Sequence, residues 1–117
     1  MTGAVAHHGG RAAEDQVEAL YTRAGCKILA RRWRGRGGEI DLIARDGNVV
    51  VFVEVKRAAT HACAAERLSA RQAERIYRTA SEFLEGEPLG QDSEVRFDVA
   101  LVDGQGRIEL VRNAIGV

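Results

Sequence analysis

Glu39, Asp41, Glu54 and Lys56 are the residues whose types and spacing point to chemistry in this chain. Three carboxylates and a lysine sharing one surface make poor structural material, but they suit a divalent cation beside a phosphate. Hydrolysis of a phosphodiester calls for a cation that screens the phosphate and stabilises the leaving oxygen. Mg²⁺ takes a few carboxylates and keeps several of its own waters. Asp41 and Glu54 suit that role, with the Val55 carbonyl as a further oxygen donor. Lys56, two residues beyond Glu54, can hold an attacking water or the scissile phosphate. Glu14 can join as a third metal ligand from an upstream helix, and Glu39 can support from outside. The competing reading is structural: Lys56 pairs with Glu54 and the other acids are solvated.

Whether these groups converge depends on the elements that carry them. Asp46-Gly47 signals a two-residue hairpin loop between the strands 39–45 and 48–57. That loop pairs Arg45 with Asn48, Ile43 with Val50, Asp41 with Phe52 and Glu39 with Glu54. Side chains alternate with a period of two, so Glu39, Asp41, Phe52, Glu54 and Lys56 share a face. A slip of one residue would scatter them. The opposite face of the second strand carries Val49, Val51, Val53 and Val55, apolar enough to lie under a helix.

Such a helix is expected upstream, from about Arg11, where Ala13, Val17, Leu20 and Ala24 recur at helical spacing and Gly25 is a natural stop. A first strand follows over 26–33, then a glycine-rich loop through Gly38. After the hairpin, a single helix is expected over about 64–85, with Leu68, Ile76, Ala80 and Phe83 on its core side. A loop containing Pro88 leads to a strand through Val95, Phe97, Val99 and Leu101, and a last strand covers 107–111. The order α-β-β-β-α-β-β predicts an α/β fold, a mixed sheet flanked by helices. Residues 1–9, which include His7 and His8, read as a mobile arm, and 10–117 as a single domain.

Two basic features flank the acidic cluster. Arg23, Lys27, Arg31, Arg32, Arg34 and Arg36 form a run without an acid, and Arg67, Arg71, Arg75 and Arg78 fall on one narrow arc of the second helix. Arg34, Arg36 and the helical arginines are candidates for contacting a nucleic-acid backbone, the part of recognition that carries no sequence information; solvation of a charged helix face is the alternative. Gln72 lies between that arc and the core side, where it can orient a water or phosphate or serve as a half-buried structural amide. Arg57 faces away from Lys56 by strand alternation and is left outside the site. Trp33 is expected to pack at a strand end.

Seventeen basic residues balance seventeen acidic ones, so no global field draws the chain to nucleic acid; local segregation must do so. Cys26 and Cys63 form neither a metal-type spacing nor a disulfide framework, which fits a cytoplasmic protein. No apolar run reaches the length of a membrane span, so no membrane partner is expected.

The segments Gly10-Arg11-Ala12-Ala13-Glu14-Asp15, Gly38-Glu39-Ile40-Asp41-Leu42-Ile43-Ala44, Val53-Glu54-Val55-Lys56 and Arg96-Phe97-Asp98-Val99 closely resemble the YraN-type bacterial family. The resemblance covers about residues 10–114. It implies a restriction-endonuclease-like, PD-(D/E)xK fold similar to that of Holliday-junction resolvases. It places Asp41, Glu54 and Lys56 on catalytic positions and Glu14 on the first-helix acid. The implied function is Mg²⁺- or Mn²⁺-dependent endonucleolytic hydrolysis of DNA, branched or damaged DNA included. The alternative is a non-catalytic DNA-binding or assembly module that keeps the fold. A homodimer is expected, since so small a monomer encloses little of a duplex. Three positions depart from the family pattern: Arg57-Ala58 replaces a sequence that puts arginine second after the lysine, Gln72 replaces a lysine, and Arg32 replaces an asparagine.

Overall fold

The computed structural model describes residues 2–114, with side chains from Arg11 onward; His7 and His8 lie outside the described side chains. Helix α1 (Thr2–Arg23) begins well before the expected Arg11. It ends where Gly25 takes φ 92, and Cys26 N–H reaches back to Tyr21 C=O at 3.0 Å, closing a Schellman turn. Strands β1 (Lys27–Arg34), β2 (Glu39–Asp46) and β3 (Val49–Arg57) form a meander. Helices α2 (His61–Glu66) and α3 (Ala70–Leu84) cross to β4 (Glu94–Val102), and β5 (Ile108–Val111) closes the sheet.

The sheet order is β1-β2-β3-β4-β5, with β3 and β4 parallel and every other pair antiparallel. It is the mixed α/β sheet flanked by helices that the sequence predicts. Val51, Val53, Ala100 and Val102 pack with Ala13, Val17 and Tyr21 of α1 on one face. On the other, Ile43, Val50, Phe52, Phe97 and Val99 pack with Ile76, Ala80 and Leu84 of α3. Trp33 packs edge-on to Phe83 with centroids 5.4 Å apart, as expected for a strand end.

The expected single second helix is two. Thr60 caps α2 by accepting from Cys63 N–H at 3.1 Å, and Ser69 caps α3 by accepting from Gln72 N–H at 3.1 Å. Side-chain oxygens that bond to free N–H groups start helices, so each cap fixes a new beginning. Arg67 is consequently the C-cap of α2 and does not belong to the α3 arc, which keeps Arg71, Arg75 and Arg78. Replacing Ser69 with alanine is expected to cost about 1 kcal/mol of stability, measurable by urea denaturation.

A buried polar network ties α1 to β4. Asp98 is 1% exposed and accepts from Tyr21 O–H at 2.6 Å, from the Arg96 guanidinium at 3.0 and 3.1 Å and from Asn113 N–H at 2.9 Å. Burial, the hydrogen bond to Asp98 and its charge hold the Tyr21 hydroxyl well above the usual phenol range. The carboxylate is fully satisfied, which makes this motif an anchor and leaves it no free lone pair for chemistry.

Candidate metal and phosphate site

The hairpin turns at Gly47-Asn48, one residue later than expected: Asp46 pairs with Val49, Arg45 with Val50, Ile43 with Phe52 and Leu42 with Val53. Of the two loop residues only Gly47 has positive φ, 62°, which suits a turn with glycine first. Moving the loop by one residue shifts every pair by two, and two is the period of the strand. The faces are therefore preserved, and Asp41 comes nearer to Glu54 than the predicted register would allow.

Beyond Leu42 the β2–β3 ladder stops. Asp41 Oδ2 accepts from Val55 N–H at 2.8 Å, so a carboxylate takes the place of a backbone acceptor and enters the gap between the strands. The neighbouring strand explains the gap. β1 shifts register between Ile28 and Ala30, and Arg32 adopts φ 50. Side chains other than glycine and asparagine adopt this region at a cost. The kink sends Arg31 and Arg32 both toward α1, while Trp33 and its partner Ile40 join the α3-side core.

Glu54 is 6% exposed. Its Oε2 accepts from Gln72 Nε2 at 2.7 Å and lies 3.3 Å from Lys56 Nζ, whose side chain is also largely buried. Its Oε1 is buried with no hydrogen-bond partner. Gln72 reaches it because Ser69 places Gln72 in the first turn of α3. The spacing Ser69-x-x-Gln72 is the capping-box pattern, but the amide is turned away from the cap and toward the sheet. That pattern was the sequence signal for the helix break; the direction of Gln72 is set instead by Glu54 across the gap.

Burial raises the Asp41 carboxyl to about 8; the Glu54 charge and a hydrogen bond with Glu54 add to the rise, and Glu14 adds a smaller push. The Val55 amide opposes it. Two acids thus share a poorly hydrated space, and Glu54 Oε1 meets no N–H or hydroxyl donor there beyond a proton that the two acids share. The donor set is hard oxygen, and it fits a divalent cation such as Mg²⁺ or Mn²⁺ with Asp41 and Glu54 as its holders.

Glu14 does not complete that pair. Its oxygen lies 2.8 Å from Arg32 Nε and 3.5 Å from Arg31, and Arg31 also engages Asp15 at 2.7 Å and Glu18 at 3.6 Å. Among the described residues no three His, Cys, Asp or Glu side chains are gathered as metal ligands; Glu14 is held by guanidinium groups, while its charge still adds to the push on Asp41. The cause is the kink at Arg32, which brings two guanidinium groups to Glu14. Glu39 is exposed at the start of β2 and pairs with Arg34 at 3.1 Å.

Of the first basic run, Arg31 and Arg32 are taken up by the acids of α1, while Arg34 and Arg36 make exposed ion pairs and keep their charge accessible. Arg36 lies 3.8 Å from Glu82. Glu82 also accepts from the backbone N–H groups of Arg36 at 2.6 Å and Gly37 at 3.0 Å, fastening the glycine loop to α3. No local pattern announces Glu82, because its partners are more than forty residues away. By contrast, Arg71, Arg75 and Arg78 are exposed and have no acidic partner among the described residues. The stem of Arg75 lies over Gly38, where an added Cβ would stand 2.7 Å from it, so its charge is held beside the start of β2.

No described helix is long and apolar enough to cross a membrane. A sequence profile of the Uncharacterised protein family UPF0102 matches residues 13–102. A UPF0102 protein of Cereibacter sphaeroides is 62% identical over 114 residues, covering 97% of each chain. One from Ruegeria pomeroyi is 58% identical over 110 residues, covering 94% of this chain and 89% of its own. One from Dinoroseobacter shibae is 51% identical over 104 residues, covering 89% and 78%.

Proposed function

Since the chain belongs to the Uncharacterised protein family UPF0102, a membership that names no reaction, we propose a function from its site: divalent-cation-dependent hydrolysis of phosphodiester bonds in DNA, branched or damaged DNA included. The restriction-endonuclease-like relationship is part of this proposal. The observation that carries it is Glu54, a buried carboxylate with one oxygen unsatisfied, beside Asp41 and within 3.3 Å of Lys56. A structural ion pair with Lys56 needs only one of these acids; two buried carboxyls crowded into one gap are what a cation would relieve.

Asp41 and Glu54 would hold Mg²⁺ or Mn²⁺, which supplies charge neutralisation for the scissile phosphate and the departing oxygen. Lys56 contributes a donor and a positive charge for a phosphate oxygen or the attacking water. Gln72 fixes Glu54 Oε2, so rotation of the carboxylate is restrained and Oε1 stays in the gap. The Val55 amide orients Asp41 in the same way. Arg71, Arg75 and Arg78 supply backbone-phosphate contacts on the α3 side.

Titration of the purified protein with Mn²⁺, followed by cleavage assays on linear, flapped and four-way DNA, tests this. Binding and cleavage that both disappear in Asp41→Ala are expected. No metal binding together with no Asp41-dependent cleavage removes the enzyme. The unpartnered α3 arginines also favour a second reading, a DNA-binding or assembly module without catalysis. For it, Arg71→Ala with Arg75→Ala lowers the salt dependence of DNA binding by about two phosphate contacts, whereas Asp41→Ala leaves binding unchanged.

A further inference from the structure

Strands β3 and β4 run parallel and end side by side, Arg57 in register with Val102. Outside these carboxyl ends lies a cleft of about 550 Å³. Its walls include Gln16 of α1, Arg57, Arg67 at the end of α2, and the turn residues Asp103, Gly104 and Gly106. The walls are fixed by backbone bonds: Ala58 N–H to Val102 C=O at 3.1 Å, and Gly104 N–H to Ala59 C=O at 3.2 Å. Gly106, at φ 82, brings its backbone beside the Gln16 amide, where an added Cβ would lie 3.6 Å away.

Arg57 and Arg67 are both exposed, and neither has an acidic partner among the described residues. That separates them from Arg31 and Arg32 of β1, which are paired with the acids of α1. Asp103, the acid of the cleft, is turned toward its own turn and His61: its Oδ1 accepts from Gln105 and Arg107 N–H groups at 2.9 Å each, and its Oδ2 lies 3.9 Å from His61 Nε2. Two unneutralised guanidinium groups therefore face a preformed space of nucleotide size. Guanidinium is the side chain best matched to phosphate oxygens, and carboxyl ends of parallel strands are where open α/β sheets take ligands.

We propose that this cleft is a second nucleic-acid contact, in which Arg57 and Arg67 hold a phosphate of a DNA single strand adjacent to the Lys56 site and Gln16 faces its sugar or base. The assignment rests on the nucleic-acid reading above for the kind of chain bound. It reverses the expectation that Arg57 stands outside the site: facing away from Lys56 places it on the cleft, one residue farther along the same strand. The strand would pass the end of β3, with Lys56 on one side and Arg57 on the other.

The test is binding of a labelled single-stranded oligodeoxynucleotide to the full chain in EDTA, over a range of salt. Arg57→Ala and Arg67→Ala are each expected to weaken binding about tenfold and to lower the salt slope by up to about 0.7, the share of one single-strand phosphate contact. Arg112→Ala, at the far end of α1 beside a different cavity, is expected to change neither. Arg57→Lys should restore the salt slope while recovering only part of the affinity, because a point charge lacks the planar fork. Unchanged binding in both alanine variants, or an equal loss in Arg112→Ala, would overturn the proposal, as would absence of oligonucleotide binding by the unaltered protein. A deoxynucleoside monophosphate that binds as tightly as the oligonucleotide, with the same arginine dependence, would replace the strand by a free nucleotide and overturn it too. Because metal is absent throughout, a failed cleavage assay leaves this result standing, and failure here leaves Asp41-dependent cleavage standing.

Discussion

Glu54→Gln is expected to reduce divalent-dependent DNA cleavage by about a thousandfold or more, while raising the thermal midpoint of the metal-free protein by about 4 °C. The two effects have one origin. Glu54 is buried, its Oε1 has no partner, and its charge is one of the forces that push Asp41 up to about 8. Without a cation that arrangement costs stability, because two buried carboxyls compete for one gap and Asp41 must keep its proton to relieve the crowding. Glutamine keeps the size and the acceptor for Gln72, removes the charge and sets N–H donors at the orphaned position. Asp41 can then ionise without the Glu54 charge beside it. The same change halves the anionic donors offered to a divalent ion, and the stabilisation it gives to phosphoryl chemistry falls with it. Activity and stability therefore move in opposite directions, as expected where a site is strained for function. Thermal melts in EDTA and single-turnover cleavage in Mn²⁺ read the two halves separately. A variant that melts lower than the unaltered protein would mean that Glu54 is a structural ion pair with Lys56, and the metal reading would lose its main support.

The parts of this site that were legible in sequence are those governed by parity and local caps. Glu54 and Lys56 share a face because strand side chains alternate, and a hairpin loop misplaced by one residue kept Asp41 on that face, since the pairing moved by two. A predicted loop one residue longer would have moved the pairing by one and separated the acids. Gly25 as a helix stop and the valine face beneath α1 follow from equally local rules. The capping box at Ser69 was as local as these, yet an unbroken periodic pattern across 64–85 concealed it, so Arg67 was assigned to the wrong helix. What the chain does not announce is long-range. The positive φ of Arg32 has no glycine to mark it, and it decides that Glu14 meets two arginines. The hold of Glu82 on the glycine loop and the cleft at the end of β3 depend on how distant turns meet. A basic run in sequence therefore overstated the charge that remains free at Arg31 and Arg32 of β1.

Metal-free protein is expected to lose stability steadily as pH rises from about 5 to about 8, and Asp41→Asn is expected to flatten that decline. The carboxyl of Asp41 is raised from 3.8 to about 8, first by burial and then by Glu54. Between those values the folded protein holds a proton that the unfolded chain has released. Each rise in pH then favours the unfolded state, with a limiting slope of about 1.4 kcal/mol per pH unit for one proton. The contribution is complete below 3.8, is lost through the window and levels off above about 8. Asparagine at this position retains an oxygen for the Val55 N–H but has no proton to lose, so the difference between the two denaturation series isolates this group from every other titration. Divalent cation should act like the substitution at neutral pH, because binding to the ionised carboxylates offsets the cost of exposing that charge to the buried gap. The cation should therefore stabilise the unaltered protein more at pH 8 than at pH 5, and should do little for Asp41→Asn at either. Urea midpoints of both proteins at these pH values, with EDTA and with Mn²⁺, decide it. Parallel slopes with no dependence on Asp41 would show that the carboxyl is already ionised in the folded protein, and that the pair forms no cation site awaiting charge.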